Sequence, residues 1–271
     1  MLQIKRPMVM GILNVTPDSF NDGGRYMALA AALAQARAMI EQGADIIDIG
    51  GESTRPGAAL VTVDEELARV IPVIEALRAE SCVPISIDTS NPAVMAAAAQ
   101  AGADMINDVR ALQRDGALPM AAALGLPVCL MHMQGSPENM QQNPAYDNLV
   151  KDISDFFSAR IRQCLAVGIP LSCIMLDPGF GFGKTVEHNL QLVNRLGEFA
   201  HLGCPLLVGL SQKSTIGKIL GSATTDRLHG SVAAATLAFI NGASILRVHD
   251  VEPTVLALRV VNAIQREQTL R

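Results

Sequence analysis

A single (β/α)₈ barrel is the fold predicted for this chain of 271 residues, and three observations predict it. Eight short apolar runs are spread over the whole length, each is followed by a helix-like segment, and one junction pattern recurs between them. The runs centre on residues 8–13, 44–49, 83–88, 103–107, 126–131, 173–177, 205–210 and 244–248. They are continuous rather than alternating, as parallel strands covered on both faces should be. Helical segments fall near 27–42, 64–79, 92–101, 115–124, 147–167, 186–199, 226–241 and 253–267. Eight such units with no linker or composition shift make residues 1–271 one α/β barrel domain, with a doubly wound open sheet as the competing arrangement.

Taken in order, PMVMGILNVT (7–16) is the opening strand. QGADIIDIGG (42–51), AGADMINDV (101–109) and NGASILRVHD (241–250) share one grammar: a helix ends in Gly, a short turn follows, then an apolar run, then polar residues. Glycine at a helix end suits the left-handed position just past the last turn. SCVPISIDTS (81–90), LGLPVCLMH (124–132), VGIPLSCIMLDPG (167–179) and HLGCPLLVGLS (201–211) are looser versions with Pro before or at the start of the strand. Thr62-Val63-Asp64-Glu65 has the form of a capping box, and Asn91-Pro92 that of a cap followed by Pro at the first helical position.

Composition narrows the partners. The net charge is −5, from 21 Lys and Arg against 26 Asp and Glu, with no basic run, which argues against nucleic acid and anionic membrane. Aromatics are 3% and Trp is absent, so the core must be aliphatic. The five cysteines form no CxxC pair, which points to reduced thiols in a cytoplasmic chain rather than zinc or a disulfide framework. The first apolar run is broken by Asn14, Pro17 and Asp18, unlike a secretory signal. The uncharged stretches 116–137 and 228–246 each contain helix breakers or polar residues and read as a buried helix followed by a buried strand, not a membrane span.

In a barrel of this kind the site lies at the C-terminal strand ends. Those ends carry Asn14; Asp48 and Glu52; Asp88; Asn107 and Asp108; His132; Asp177; Ser211 and Lys213; Arg247 and His249. A ring of carboxylates, amides and cations implies a polar, charged small molecule. PGFGFGKT (178–185) fails as a phosphate loop because Pro178 stands where Gly is required, and GLSQK (209–213) fails as a nucleophile elbow because it ends in Lys213. Gly179, Gly181 and Gly183 still permit close approach to a flat ligand, with Phe180 and Phe182 as walls.

MGILNVTPDSFNDGG (10–24), IDIGGESTRPGA (47–58), ISIDT (85–89), INDV (106–109), MHMQGSPENMQ (131–141), DPGFGFGKTVEHN (177–189), SQKSTIG (211–217) and RVHDV (247–251) together resemble the dihydropteroate synthases. The resemblance implies a barrel fold and the joining of p-aminobenzoate to 6-hydroxymethyl-7,8-dihydropterin diphosphate with Mg²⁺. It implies that Asp88, Asn107, Asp177 and Lys213 bind the pterin, whose amino-pyrimidine edge suits carboxylate, amide and ammonium partners. Asn14, Arg247 and His249 would take the diphosphate, Asn14 also holding Mg²⁺ and Arg247 gripping phosphate oxygens bidentately. Phe20, Thr54, Arg55, Pro56, Phe182 and Ser214 would form the p-aminobenzoate pocket, Ser214 offering its hydroxyl to the carboxylate. Asp22, Lys213, Arg247 and His249 would act in catalysis. The family is usually dimeric, and the apolar segment 232–240 is compatible with an interface.

The chain departs from the family pattern at Gln212, where members commonly carry a basic residue, which implies a weaker positive field beside Lys213. Three other readings remain open at this point: a methyltetrahydrofolate:corrinoid methyltransferase, a Schiff-base aldolase using Lys184 or Lys213, and a pterin-storage protein.

Overall fold

The structure is a computed structural model of the chain, in which residues 6–15, 24–52, 61–136, 139–221 and 226–267 are described. Strands β1 (Met8–Asn14), β2 (Ile46–Gly50), β3 (Ile85–Asp88), β4 (Met105–Asp108), β5 (Val128–Met131), β6 (Ile174–Asp177), β7 (Leu206–Gly209) and β8 (Ala243–Val248) pair in parallel in chain order, and β8 closes on β1. The open-sheet alternative is thereby excluded. Helices α1 (Gly24–Glu41), α2 (Val63–Glu80), α3 (Pro92–Ala101), α4 (Ala117–Leu124), α5 (Leu149–Ala166), α6 (Val186–Asn194), α7 (Ser214–Leu220), α8 (Leu228–Ile240) and α9 (Val251–Arg266) cover the outside. Among the described residues no helix is long and apolar enough to cross a membrane.

Local chemistry accounts for the boundaries. Gly43, Gly102 and Gly242 have φ of +99°, +109° and +110°, the left-handed turn that the repeated junctions require. Thr62 and Glu65 close the capping box that starts α2, and Asn91 caps α3 ahead of Pro92. The expected segment 186–199 is α6 followed by a tighter 3-10 stretch, Leu196–Leu202. Helix α7 adds an element to the simple alternation, inserted between β7 and α8.

The core has two parts because strand side chains alternate. One face of every strand packs against the helices in a large aliphatic cluster that includes Ile47, Ile49, Ile85, Ile87, Leu130 and Leu176. The other face fills the barrel. There Met10, Ile46, Met105, Cys129, Met175, Leu207 and Ile245 form a separate cluster. Two residues further along the same strands, pointing the same way, stand Ile12, Asp48, Asn107, Met131, Asp177, Gly209 and Arg247. The apolar plug is therefore the floor beneath a polar layer.

Candidate active site

Strand register assembles the polar layer. Gly50 pairs with Asp88, Asp88 with Asn107, Met131 with Asp177, and Gly209 with Arg247. Arg247 is also level with Met10 on β1, deep in the barrel, and its side chain rises from there. Its Nε donates to Asp48 Oδ2 at 2.6 Å and one terminal nitrogen donates to Asp88 Oδ2 at 2.6 Å. Asp48 Oδ2 also accepts from the Asn107 amide at 3.2 Å. The other Asp48 oxygen is buried without a hydrogen-bond partner among the described residues.

Burying charge is costly unless it is paired, and this cluster is paired through Arg247. Burial pushes the Asp88 carboxyl above its ordinary range; Arg247 opposes that, while Asp48 and Asp108 reinforce it. Burial would lower the Arg247 pKa, but Asp48 and Asp88 outweigh it and hold the guanidinium charged. With one edge committed to carboxylates, Arg247 keeps only its second terminal nitrogen without a hydrogen bond among the described residues. A guanidinium carries five N–H donors, so the edge formed by its two terminal nitrogens still has N–H groups to offer a phosphate.

Asp177, at the end of β6, accepts from the Gly179 backbone N–H at 2.8 Å. Burial raises its pKa and Lys213 opposes the shift. Lys213 donates to the Phe180 carbonyl, and its ammonium stands 4.3 Å from the Phe182 ring centroid, within cation–π range. Burial brings Lys213 down to about 8, with Asp177 holding it up. Ser211 accepts from the His249 backbone N–H at 3.2 Å, and its hydroxyl is 3.1 Å from His249 Nδ1, which ties the β7 and β8 ends together. Asn14, at the end of β1, is half-buried, and its side chain makes no hydrogen bond among the described residues. Ser214 opens α7 and lines a cleft of about 320 Å³ with Gly181, Lys184, Thr215, Lys218 and Gln141.

Of the residues singled out from sequence, Asp88, Asn107, Asp177, Lys213 and Arg247 are therefore joined by hydrogen bonds or mutual fields at one rim, with His249 beside them. Phe182 faces Lys213. Phe20, Asp22, Thr54, Arg55 and Pro56 lie outside the described residues. Sequence reasoning noticed Asp48 among the strand ends but gave it no role, although strand alternation from Ile46 points it inward. It also considered Lys184 only as a Schiff-base lysine and left His132 unassigned. In the structure these two are a buried pair, with Lys184 Nζ 3.0 Å from His132 Nδ1.

A closed barrel whose interior turns from methionine and isoleucine to carboxylates, an amide and cations is the architecture of an enzyme for a polar, charged small molecule. The family model for pterin binding enzymes matches residues 10–249. The chain is 54% identical to the dihydropteroate synthase of Escherichia coli K12 over 262 residues, 97% of this chain and 93% of that one. It superposes with a TM-score of 0.93 on the Yersinia pestis dihydropteroate synthase solved with a sulfonamide drug, at 55% identity and covering 98% of this chain and 96% of that one. The Xanthomonas albilineans dihydropteroate synthase in complex with 7,8-dihydropteroate gives 0.89 at 48% identity, covering 97% and 95%. The chain belongs to the pterin-binding enzymes and, within them, to the dihydropteroate synthase family. A corrinoid methyltransferase, aldolase or storage role is not favoured by likeness of this extent.

Proposed function

We propose that this protein condenses 6-hydroxymethyl-7,8-dihydropterin diphosphate with p-aminobenzoate, releasing 7,8-dihydropteroate and diphosphate. The observation that carries the reading is the rim cluster of Asp48, Asp88, Asn107 and Arg247 beside Asp177 and Lys213, in a chain so close to dihydropteroate synthases. Asp88, Asn107 and Asp177 present acceptors to the amino edge of the pterin, and Lys213 donates to its ring acceptors. The uncommitted terminal nitrogen of Arg247, with His249, faces the diphosphate. Phe182 walls the acceptor pocket and Ser214 meets the carboxylate of the arylamine. The resemblance assigns Phe20, Asp22, Thr54, Arg55 and Pro56, which lie outside the described residues, to the same site.

The carbon–oxygen bond between the pterin methylene and the diphosphate breaks, and the electron pair leaves with diphosphate. Arg247 and His249 stabilise that growing charge, as preorganised donors in a water-poor site do. The buried carboxylates stabilise the cation left on the conjugated pterin. The arylamine nitrogen then attacks the methylene, a carbon–nitrogen bond forms, and the amine gives up one proton. No enzyme nucleophile is needed, because an arylamine is already neutral and nucleophilic at neutral pH; proximity does the rest.

Mg²⁺ is the ion this reading implies, and the residues fit it. The Asn14 amide is at the rim and makes no hydrogen bond among the described residues, which also hold no cluster of three or more His, Cys, Asp or Glu that would cage a metal. A cation that sheds water reluctantly suits one protein oxygen supplemented by diphosphate and water. When bound it neutralises charge on the leaving group.

The assembly we infer is a homodimer. Leu237 and Ile240 on α8, and Leu256, Val260 and Ile264 in one stripe on α9, are exposed large hydrophobics on neighbouring helices, an arrangement that marks interaction surfaces. The five free thiols suit the reducing cytoplasm. A diphosphate-release assay tests the activity: release is expected only when both substrates are present. Tight binding of the pterin diphosphate without release on adding p-aminobenzoate would make the protein a binding module instead.

A further inference from the structure

A pair of buried titratable side chains takes no part in the chemistry above. Lys184 is 3% exposed. Its ammonium has two acceptors, His132 Nδ1 and the Phe182 carbonyl, each at 3.0 Å, and it stands 5.9 Å from the Tyr146 ring centroid. His132 is boxed by Phe156, Tyr146 and Phe157, with ring centroids at 5.0, 6.0 and 6.4 Å. That apolar box keeps the imidazole neutral, its pKa pushed down to about 2 by burial and by Lys184, so Nδ1 accepts. An apolar residue would fill the same space without the cost of a buried charge. The charge therefore calls for a reason other than packing.

The loop that Lys184 ends supplies it. Residues 177–184 rest directly on the backbone after β5. A Cβ on Gly179 would come within 1.9 Å of the His132 carbonyl, and one on Gly183 within 2.7 Å of the Gln134 carbonyl; both glycines have positive φ. A Cβ on Gly181 would come within 2.9 Å of the Lys213 stem. The outer edge of the same loop carries the working groups. Asp177 is held by Gly179, the Phe180 carbonyl takes Lys213, and the Phe182 ring faces the Lys213 ammonium. Lys184 thus grips the loop at Phe182 and anchors it to His132, within the fields of Asp177 and Lys213. Tyr146 adds a hydroxyl bond to the Gly183 carbonyl at 2.7 Å, and Gln141 one to the Gly181 carbonyl at 2.8 Å.

We propose that Lys184, through His132 and the Phe182 carbonyl, is a positioning residue that sets Asp177, Lys213 and Phe182 for the pterin. The inference rests on the proposed function, which puts the heterocycle on Asp177 and Lys213. It assigns Lys184 to alignment and gives it no covalent role, because both acceptors engage its nitrogen and the side chain is buried.

The test compares Lys184→Met and Lys184→Gln with the parent by calorimetric binding of 6-hydroxymethyl-7,8-dihydropterin diphosphate, steady-state kinetics and thermal melting. In Lys184→Met we expect a melting temperature within a few degrees of the parent's, relief of the buried charge offsetting the two acceptors left without a donor, together with Kd and KM for the pterin diphosphate raised roughly tenfold, the scale of one lost charge-assisted bond. We expect kcat within threefold of the parent. Lys184→Gln, one bond shorter but with an NH2 group able to donate towards the same acceptors, should recover part of the binding. The proposal is overturned if Lys184→Met binds the pterin diphosphate within twofold of the parent. It is equally overturned if both variants fail to fold, or lose melting temperature, kcat and KM together, since that describes a purely structural residue. An inactive parent would instead sink the functional reading itself, so the two failures are distinguishable.

Discussion

The inside of the barrel holds two layers built on the same strands, only two residues apart. The lower is Met10, Ile46, Met105, Cys129, Met175, Leu207 and Ile245; the upper is Asp48, Asn107, Asp177 and Arg247, joined by Asp88. Backbone geometry, direction and burial are nearly the same in both. What differs is the chemistry of the side chains. The lower layer holds no charged side chain. The upper layer concentrates like charges, leaves one Asp48 oxygen without a hydrogen-bond partner among the described residues, and sets Asp48 and Asp88 against the single Arg247 guanidinium. Stability and binding are thus stacked rather than mixed, and substitutions should separate them.

The largest effect should follow Arg247→Ala. Losing a donor to the departing charge should lower kcat by about 10²–10³-fold in the diphosphate-release assay. Because Asp48 and Asp88 would then be buried without a cation, stability should also fall by roughly 3–5 kcal/mol in urea unfolding. Normal turnover in that variant would refute the leaving-group role. Met175→Ala, one layer down, should lose about 2–5 kcal/mol of stability to a cavity while keeping kcat within a few-fold below its melting temperature. Equal losses of turnover in both variants would erase the distinction between layers. Asp177→Asn keeps the shape of the site but removes the charge. It should raise KM for the pterin diphosphate about tenfold, with little change in melting temperature. Cys129→Ala, in the floor, should leave turnover unchanged.

The smallest effect is a pH dependence, and it sharpens the case of Lys184. Burial lowers its folded pKa from 10.5 to about 7. Between those values the unfolded chain holds the proton and the folded one releases it, so parent stability rises with pH across that window. Lys184→Met lacks this group. Any lead it has over the parent in melting temperature at pH 7 should shrink steadily towards pH 10. A constant difference would show that the lysine is not desolvated in solution.

Much of this was legible in the sequence because it is set locally. The junction glycines at 43, 102 and 242, the Thr62 capping box and the Asn91 cap each announce a backbone conformation a few residues long, and all are present. Strand ends read directly as site residues, since the fold class fixes where they converge. What could not be read depends on distance. Nothing near Asp48 in the chain shows that Arg247, 199 residues away, would take its carboxylate. Lys184 looked like the tail of a failed phosphate loop because its partner, His132, is 52 residues earlier. Helix α7 is only seven residues long, too short to stand out as a periodic pattern.

The turn just before α7 has a consequence for the family's usual basic residue at position 212. Gln212 sits at φ +61°, so the chain reverses and sends its amide away from Lys213 to Asp250, at 2.8 Å. The Arg227 guanidinium and the Ser231 hydroxyl hold the same turn through its carbonyl and N–H. An arginine or lysine in this place would meet that aspartate and be cancelled there. Swapping a neutral for a cationic residue would therefore trade one latch for another, its charge set against that aspartate.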